Sequence, residues 1–285
     1  MILIYHQPTN RYWKLNCEVF HLKCYHYLMK LKDVLNKRLV FAINIDNYLI
    51  FKALISAVEK TNSPVIAQVS ESEAEFWGLD NFYQMVKFQK TKGLPIFTNI
   101  DHGNKMDTID KAINLGFDMV HIDASHKPWQ ANIKLSRSVT KKAHPKGILV
   151  ETEPQAKLTD PEKVSEFVYK TKTDILAVFV GNKHGYDPKI EEKLDLDRLE
   201  KIKNNADCFI ALHGGSGVRK QDFNKAVKNK LINKVNINSH LRYIYKTTFS
   251  KELKTNKSMK YYELAEKTVQ SLEKEIINLF SQSQR

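Results

Sequence analysis

Three histidines that each precede a glycine carry the strongest chemical signal in this chain: His102, His184 and His213. Three neutral imidazoles around one ion, with a fourth position open, make a catalytic zinc site. Such an ion polarises a substrate carbonyl and stabilises the enediolate that follows. Any one of these histidines alone reads more simply as a hydrogen-bonded structural ring. Together, each near the end of an apolar run, they read better as one metal site. Asp101 stands just before His102, and Asp123, Glu151 and Glu153 close two other apolar runs. The turn His213-Gly214-Gly215-Ser216-Gly217 offers a second chemistry. Glycines let backbone N–H groups approach an anion, and Ser216 adds a hydroxyl. Asn236, Asn238 and Ser239 place further polar groups at the end of the last run.

Positioning these residues requires a framework in which many strand ends meet. Apolar runs recur at 39–45, 64–69, 94–100, 117–122, 147–150, 174–180, 208–212 and 232–237. They lack strict alternation, as strands buried on both faces do. Amphipathic stretches separate them. Asp160-Pro161 predicts a helix start, with Asp as cap and Pro at the first position. Asp107 or Thr108 is the expected cap of another helix. A long C-terminal helix carries an apolar stripe of Ala265, Val269, Leu272, Ile276 and Phe280. Eight βα units predict a TIM (β/α)8 barrel, whose catalytic groups sit at the carboxyl ends of the strands. The phosphate sites of such barrels commonly follow strands seven and eight, where the Gly-rich turn falls. A doubly wound open sheet is the alternative, but no Gly-rich dinucleotide loop follows the first run.

The chain has 285 residues and a formal net charge of +13. The lysines are scattered and no stripe interleaves them with aromatics, so no nucleic-acid partner is expected. No apolar run is long enough to span a membrane. Cys17, Cys24 and Cys208 form neither a metal pattern nor a disulfide framework, which fits a cytoplasmic setting. Cys208, inside an apolar run, is expected to be a core thiol. Residues 1–28 are rich in Tyr, His and Trp, lack a clean period, and are read as an extension. Met29 precedes an orderly helical segment, so residues 29–285 are expected to form one barrel with its C-terminal helix.

From about Met29 onward the chain resembles the class II, zinc-dependent fructose-bisphosphate and tagatose-bisphosphate aldolases. The resemblance rests on several motifs in order. Ser63-Pro64-Val65-Ile66 and Gln68-Val69-Ser70 match the second-strand signature, and Asp101-His102-Gly103 the motif of a catalytic Asp and a zinc His. Ile122-Asp123-Ala124-Ser125 and Asn132 match the fourth-strand region. Gly181-Asn182-Lys183-His184-Gly185 and Leu212-His213-Gly214-Gly215-Ser216-Gly217 match the other zinc motifs, and Lys234-Val235-Asn236-Ile237 the eighth strand. The resemblance implies one zinc per chain on His102, His184 and His213. It makes Asp101 the group that protonates or hydrogen-bonds the substrate C4 oxygen. Asp123 and Glu153 match positions for a displaced or second cation. Gly185, Gly214, Ser216, Asn236 and Ser239 would hold the ketose end and its phosphate, with Asn44 and Ser70 nearby. Members of this family associate as dimers or tetramers, and the C-terminal helix is a candidate for that contact.

Three positions depart from the family pattern. Asn99 stands where a His is frequent, and Asn238 where many members have Asp. After Glu153 the chain reads Pro154-Gln155-Ala156-Lys157-Leu158-Thr159-Asp160 in place of a Gly-Gly-x-Glu-Asp loop. That loop carries the glutamate that moves a proton at the carbanion carbon. Glu162 follows in the first helical turn, a poor substitute. Glu151 and Asp123 are the first places to look for a replacement base. Three readings follow: an aldolase cleaving a ketose 1,6-bisphosphate to dihydroxyacetone phosphate and an aldehyde phosphate, a divergent enzyme that keeps zinc and phosphate binding, or a non-catalytic binder.

Overall fold

The computed structural model describes residues 29–155, 157–183 and 185–282. The 1–28 extension, Cys17, Cys24 and His184 lie outside the described residues.

A short helix, α1 (Leu31–Lys37), precedes the first strand, β1 (Val40–Asn44). There follow α2 (Tyr48–Thr61), β2 (Val65–Ser70), α3 (Glu71–Trp77), α4 (Leu79–Thr91), β3 (Ile96–Gly103), α5 (Met106–Leu115), β4 (Met119–Ile122) and α6 (Trp129–Ala143). The second half runs through β5 (Leu149–Thr152), α7 (Pro161–Thr171), β6 (Ile175–Val178), α8 (Leu196–Asn205), β7 (Phe209–Leu212), α9 (Lys220–Lys228), β8 (Lys234–Ile237), α10 (Ser239–Thr255) and α11 (Tyr261–Gln282). The eight strands pair in sequence order, all parallel, and β8 closes on β1. The open-sheet alternative is thereby excluded, and the chain is a TIM barrel.

Each apolar run became a strand because both of its faces are covered. Outward residues such as Phe41, Ile43, Val65, Val69 and Leu212 pack against the helices in one continuous core. Inward residues Val40, Ala42, Ile66, Phe97, Met119, Leu149, Ile175 and Ala211 fill the amino end of the barrel, where Leu31, Val34 and Leu35 of α1 cover them. That end is a packed plug, so polar groups can meet only at the other end.

Local capping sets several helix starts. The Asp160 side chain accepts from the Glu162 N–H at 3.1 Å and Pro161 takes the first helical position, as predicted. The expected cap of α5 is corrected: Lys105 is the N-cap, and Asp107 lies inside the first turn. Ser70 caps α3 in a reciprocal box with Glu73. The stripe on α11 is buried within this chain, and Phe280 meets Phe41 with ring centroids 6.5 Å apart. That stripe is therefore unavailable for contact between subunits. Cys208 is half-buried against the core rather than fully inside it. Burial pushes its thiol up to about 12. No helix among the described residues is long and apolar enough to cross a membrane.

Candidate active site

Above the plug, the inward positions turn polar. Asp101, near the end of β3, is 5% exposed. Its Oδ1 accepts from Asn236 Nδ2 at 3.0 Å, and its Oδ2 from Asn44 Nδ2 at 3.1 Å. Asn44 Oδ1 in turn accepts from Gln68 Nε2 at 2.8 Å, and Gln68 Oε1 from Asn99 Nδ2 at 3.0 Å. Side chains from β8, β1, β2 and β3 thus orient one carboxylate. Burial alone would raise this carboxyl, but His102, His121, His213 and Lys234 together outweigh it and hold Asp101 well below the usual carboxylate range. Asp101 is an ionised acceptor at neutral pH.

His102 and His213 face each other beside it, with His102 Nε2 and His213 Nδ1 3.0 Å apart. Their other ring nitrogens are each held by a carboxylate. His102 Nδ1 meets Asp123 Oδ2 at 2.8 Å, and His213 Nε2 meets Glu151 Oε1 at 2.5 Å. Each outer nitrogen donates its hydrogen to the carboxylate, so each inner nitrogen directs a lone pair at the other. Two nitrogens bound tetrahedrally to one zinc stand about 3.3 Å apart. The donor set therefore fits a divalent cation, with the carboxylate behind each ring fixing its tautomer. Without an ion, a proton takes that place. Burial lowers His102, but Asp101 and then Asp123 overcome it and raise it to about 9, while burial pushes His213 down to about 3.

Asp101, His102, His121 and His213 each offer a ligand atom, all within 4.8 Å of one another, and His102, Asp123 and Glu153 form a second such group. His102, Asp123, Ser125, Glu153, Asn182, Lys183 and His213 line a cavity of about 340 Å³. Next to it lies a groove of about 470 Å³ that includes Gly181, Lys183, Gly185, Tyr186 and Gly217. Gly214 adopts φ +63°, a left-handed conformation that glycine takes without strain. A Cβ on Gly215 would run into the Val235 side chain. Ser216 Oγ accepts from the Asn238 N–H at 3.3 Å, joining the turn after β7 to the end of β8, and Ser239 opens α10. Asn236, expected near the phosphate, donates from Nδ2 to Asp101 and accepts at Oδ1 from Lys234. Ser70 faces the cap of α3, and its hydroxyl lies 3.3 Å from that of Ser72.

Comparison with known proteins agrees with the barrel fold. The family model described as fructose-bisphosphate aldolase class-II matches residues 31–285. The chain belongs to the class-II fructose-bisphosphate aldolase family. It is 32% identical over 197 residues to a fructose-bisphosphate aldolase of Helicobacter pylori, covering 63% of this chain and 64% of that protein. The chain thus spans just under two thirds of that relative's length. A fructose-bisphosphate aldolase of Staphylococcus aureus is 32% identical over 238 residues, with 74% of this chain and 81% of the relative covered. Among solved structures, the YdjI aldolase of Escherichia coli K12 superposes with a TM-score of 0.78 at 28% identity, covering 88% of this chain and 93% of that one. The fructose-bisphosphate aldolase of Campylobacter jejuni shares the fold, with a TM-score of 0.74 at 20% identity over 94% of this chain and 93% of that one.

Two residues of this family member escaped the sequence reading. His121 on β4 is fully buried against both facing histidines, its ring centroid 4.8 Å from that of His102 and 5.1 Å from that of His213. It lies two residues before Asp123, the spacing that puts two side chains on one face of a strand. Lys234 matched a motif but had no assigned role. It is fully buried, 2.9 Å from Glu151 Oε2, and donates to Asn236 Oδ1 at 2.6 Å. It therefore braces both the carboxylate behind His213 and the amide that orients Asp101. In the short connection from β5 to α7, Gln155 donates to the Leu158 carbonyl at 2.7 Å, and the Thr159 N–H to the Phe179 carbonyl at 2.9 Å.

Proposed function

We propose that this chain is a zinc-dependent ketose-bisphosphate aldolase. The reaction is reversible cleavage of a fructose or tagatose 1,6-bisphosphate to dihydroxyacetone phosphate and an aldehyde phosphate. The observation that carries the reading is the ionised, amide-oriented Asp101 beside two histidines whose inner nitrogens converge. His102 and His213 would hold the ion with His184. A bound zinc supplies Lewis-acid polarisation of the substrate carbonyl. Asp101 takes the proton of the C4 hydroxyl as the C3–C4 bond breaks, and returns it in the condensation direction. Gly214 and Ser216 hold the ketose phosphate, and Lys183 adds a positive charge on the rim shared by cavity and groove.

The remaining step is proton transfer at the carbanion carbon, and the family's loop glutamate is absent. Glu151 is engaged by Lys234 and His213, and Asp123 by His102 and the Ser125 hydroxyl at 2.7 Å. Glu151 is fully buried, and both oxygens of Asp123, which also lines the cavity, already accept hydrogen bonds. Glu153 lines the cavity itself. Burial, followed by the negative charge of Asp123, raises it to about 7, the range in which one group can both take and give a proton. Glu153 is our assignment for this step. The reading is tested by titrating dihydroxyacetone phosphate and dihydroxyacetone into the zinc-loaded protein by calorimetry. The phosphorylated form is expected to bind more tightly, and Ser216→Ala to shrink the difference. Equal affinity of the two would remove the phosphate site from the account.

A further inference from the structure

Between the pairs Ile100↔Val120 and Gly103↔Ile122, β3 takes one residue more than β4. This is a β-bulge, and it falls on Asp101 and His102. In a regular strand, neighbours point to opposite faces. The bulge lets consecutive residues both serve the site, which is a recurrent use of bulges beside active sites. The bulge also creates two problems. His102 sits at φ +48°, a left-handed conformation unfavourable for a residue with a Cβ. Its N–H, lifted out of the strand ladder, needs an acceptor inside the barrel.

His121 supplies that acceptor, and the bond helps to hold His102 in its left-handed conformation. Its Nδ1 accepts the His102 N–H at 3.1 Å. An accepting Nδ1 carries no hydrogen, so the ring is the tautomer protonated on Nε2, and that nitrogen is buried with no hydrogen-bond partner among the described residues. A ring retained with one nitrogen unsatisfied is held by what its other nitrogen does. Nδ1 also lies 3.9 Å from both Asp101 Oδ1 and Glu151 Oε1. We infer that His121 is a positioning residue that pins the Asp101–His102 bulge through its Nδ1, and so sets the direction in which His102 presents Nε2 to a metal ion.

The inference rests on the metal reading of His102 and His213, and its test separates the two. Co²⁺ alone is titrated into metal-free wild type, His121→Phe and His121→Asn, following the visible ligand-field spectrum. Phe keeps the ring shape without an acceptor; the Asn Oδ1 keeps an acceptor where Nδ1 stands. His121→Phe is expected to bind Co²⁺ about 10–100-fold more weakly with an altered spectrum, the range for supporting residues behind metal ligands. His121→Asn should stay near wild type. A residue that merely fills space would shift the melting temperature of both variants and leave Co²⁺ affinity unchanged. Wild-type affinity and spectrum in His121→Phe, or an equal loss in both variants, overturns the inference. The ring nitrogens of His121 are also observed directly by ¹⁵N NMR in the unsubstituted protein as purified. Hydrogen on Nε2 with Nδ1 bare supports the assignment, and hydrogen on Nδ1 overturns it even where His121→Phe fails to fold. If wild type takes up no Co²⁺, the metal reading falls, while the NMR result still decides the His121–His102 bond.

Discussion

The facing nitrogens of His102 and His213 constrain the chemistry at the smallest scale. With both outer nitrogens donating to carboxylates, the inner pair cannot stay at 3.0 Å as two bare lone pairs. A proton or a cation must lie between them. In the metal-free protein the proton is on His102, raised to about 9, whereas His213, lowered to about 3, is neutral. A cation requires both rings neutral, so its binding at pH 7.5 displaces about one proton. The sign follows: affinity falls as pH drops below 9, by about tenfold per unit while one proton competes. Calorimetry of Zn²⁺ binding in buffers of different ionisation enthalpy measures that number; no proton release would contradict the pairing. Glu153 gives a second prediction at this scale. General acid–base groups contribute about 10²–10⁴-fold to rate. Glu153→Gln is expected to slow exchange of the carbon-bound proton of dihydroxyacetone phosphate in heavy water by that order, and to slow C–C cleavage less. Equal slowing of the two would place Glu153 elsewhere in the mechanism.

At the scale of elements, the barrel positions the site by alternating what its strands point inward. The same strands carry apolar residues at the plugged end and Asn44, Gln68, Asn99, Asp101, Glu151 and Asn236 at the open end. The eight strands were legible because residues covered on both faces are apolar without alternation. The polar ends of those runs were legible because little else in the chain places Asp, His and Asn after so many aliphatic stretches. His121 and Lys234 were not, because each lies inside a run and its partners come from other strands: His102 for one, Glu151 for the other. The bulge in β3 was likewise invisible, since only pairing with β4 reveals the extra residue. Lys234→Met leaves the Glu151 charge buried and unmatched. Removing one partner of such a pair costs about 3–5 kcal/mol, and urea unfolding of the metal-free protein should show it; a change below about 1 kcal/mol, the value of an exposed pair, would mean that water reaches Glu151. Ser70 tests a different division of labour. If its hydroxyl serves chiefly as the cap of α3, Ser70→Ala lowers stability by about 1 kcal/mol, read in the same unfolding experiment. An unchanged midpoint would return Ser70 to the substrate side.

For the whole molecule, the motifs spread along the chain become one mouth at the carboxyl end of the barrel, and the family match over residues 31–285 covers all of them. Most of the lysines that give a net charge of +13 lie away from the site; the cavity is lined by His102, Asp123, Glu153 and His213 together with the apolar Ala177, Val178 and Phe179, with Lys183 on its rim. The connection from β5 to α7 is short, and in the proposed function proton transfer at the carbanion carbon falls to Glu153 on the cavity wall. The most direct test of the central claim is a coupled assay of triose phosphate formation from fructose 1,6-bisphosphate, run on the purified chain before chelation, after chelation and after adding back Zn²⁺. Cleavage is expected to be lost with the metal and restored by about one equivalent per chain, the stoichiometry of a single catalytic site. Cleavage indifferent to chelation, or no cleavage of either the fructose or the tagatose bisphosphate by fully zinc-loaded protein, would contradict it.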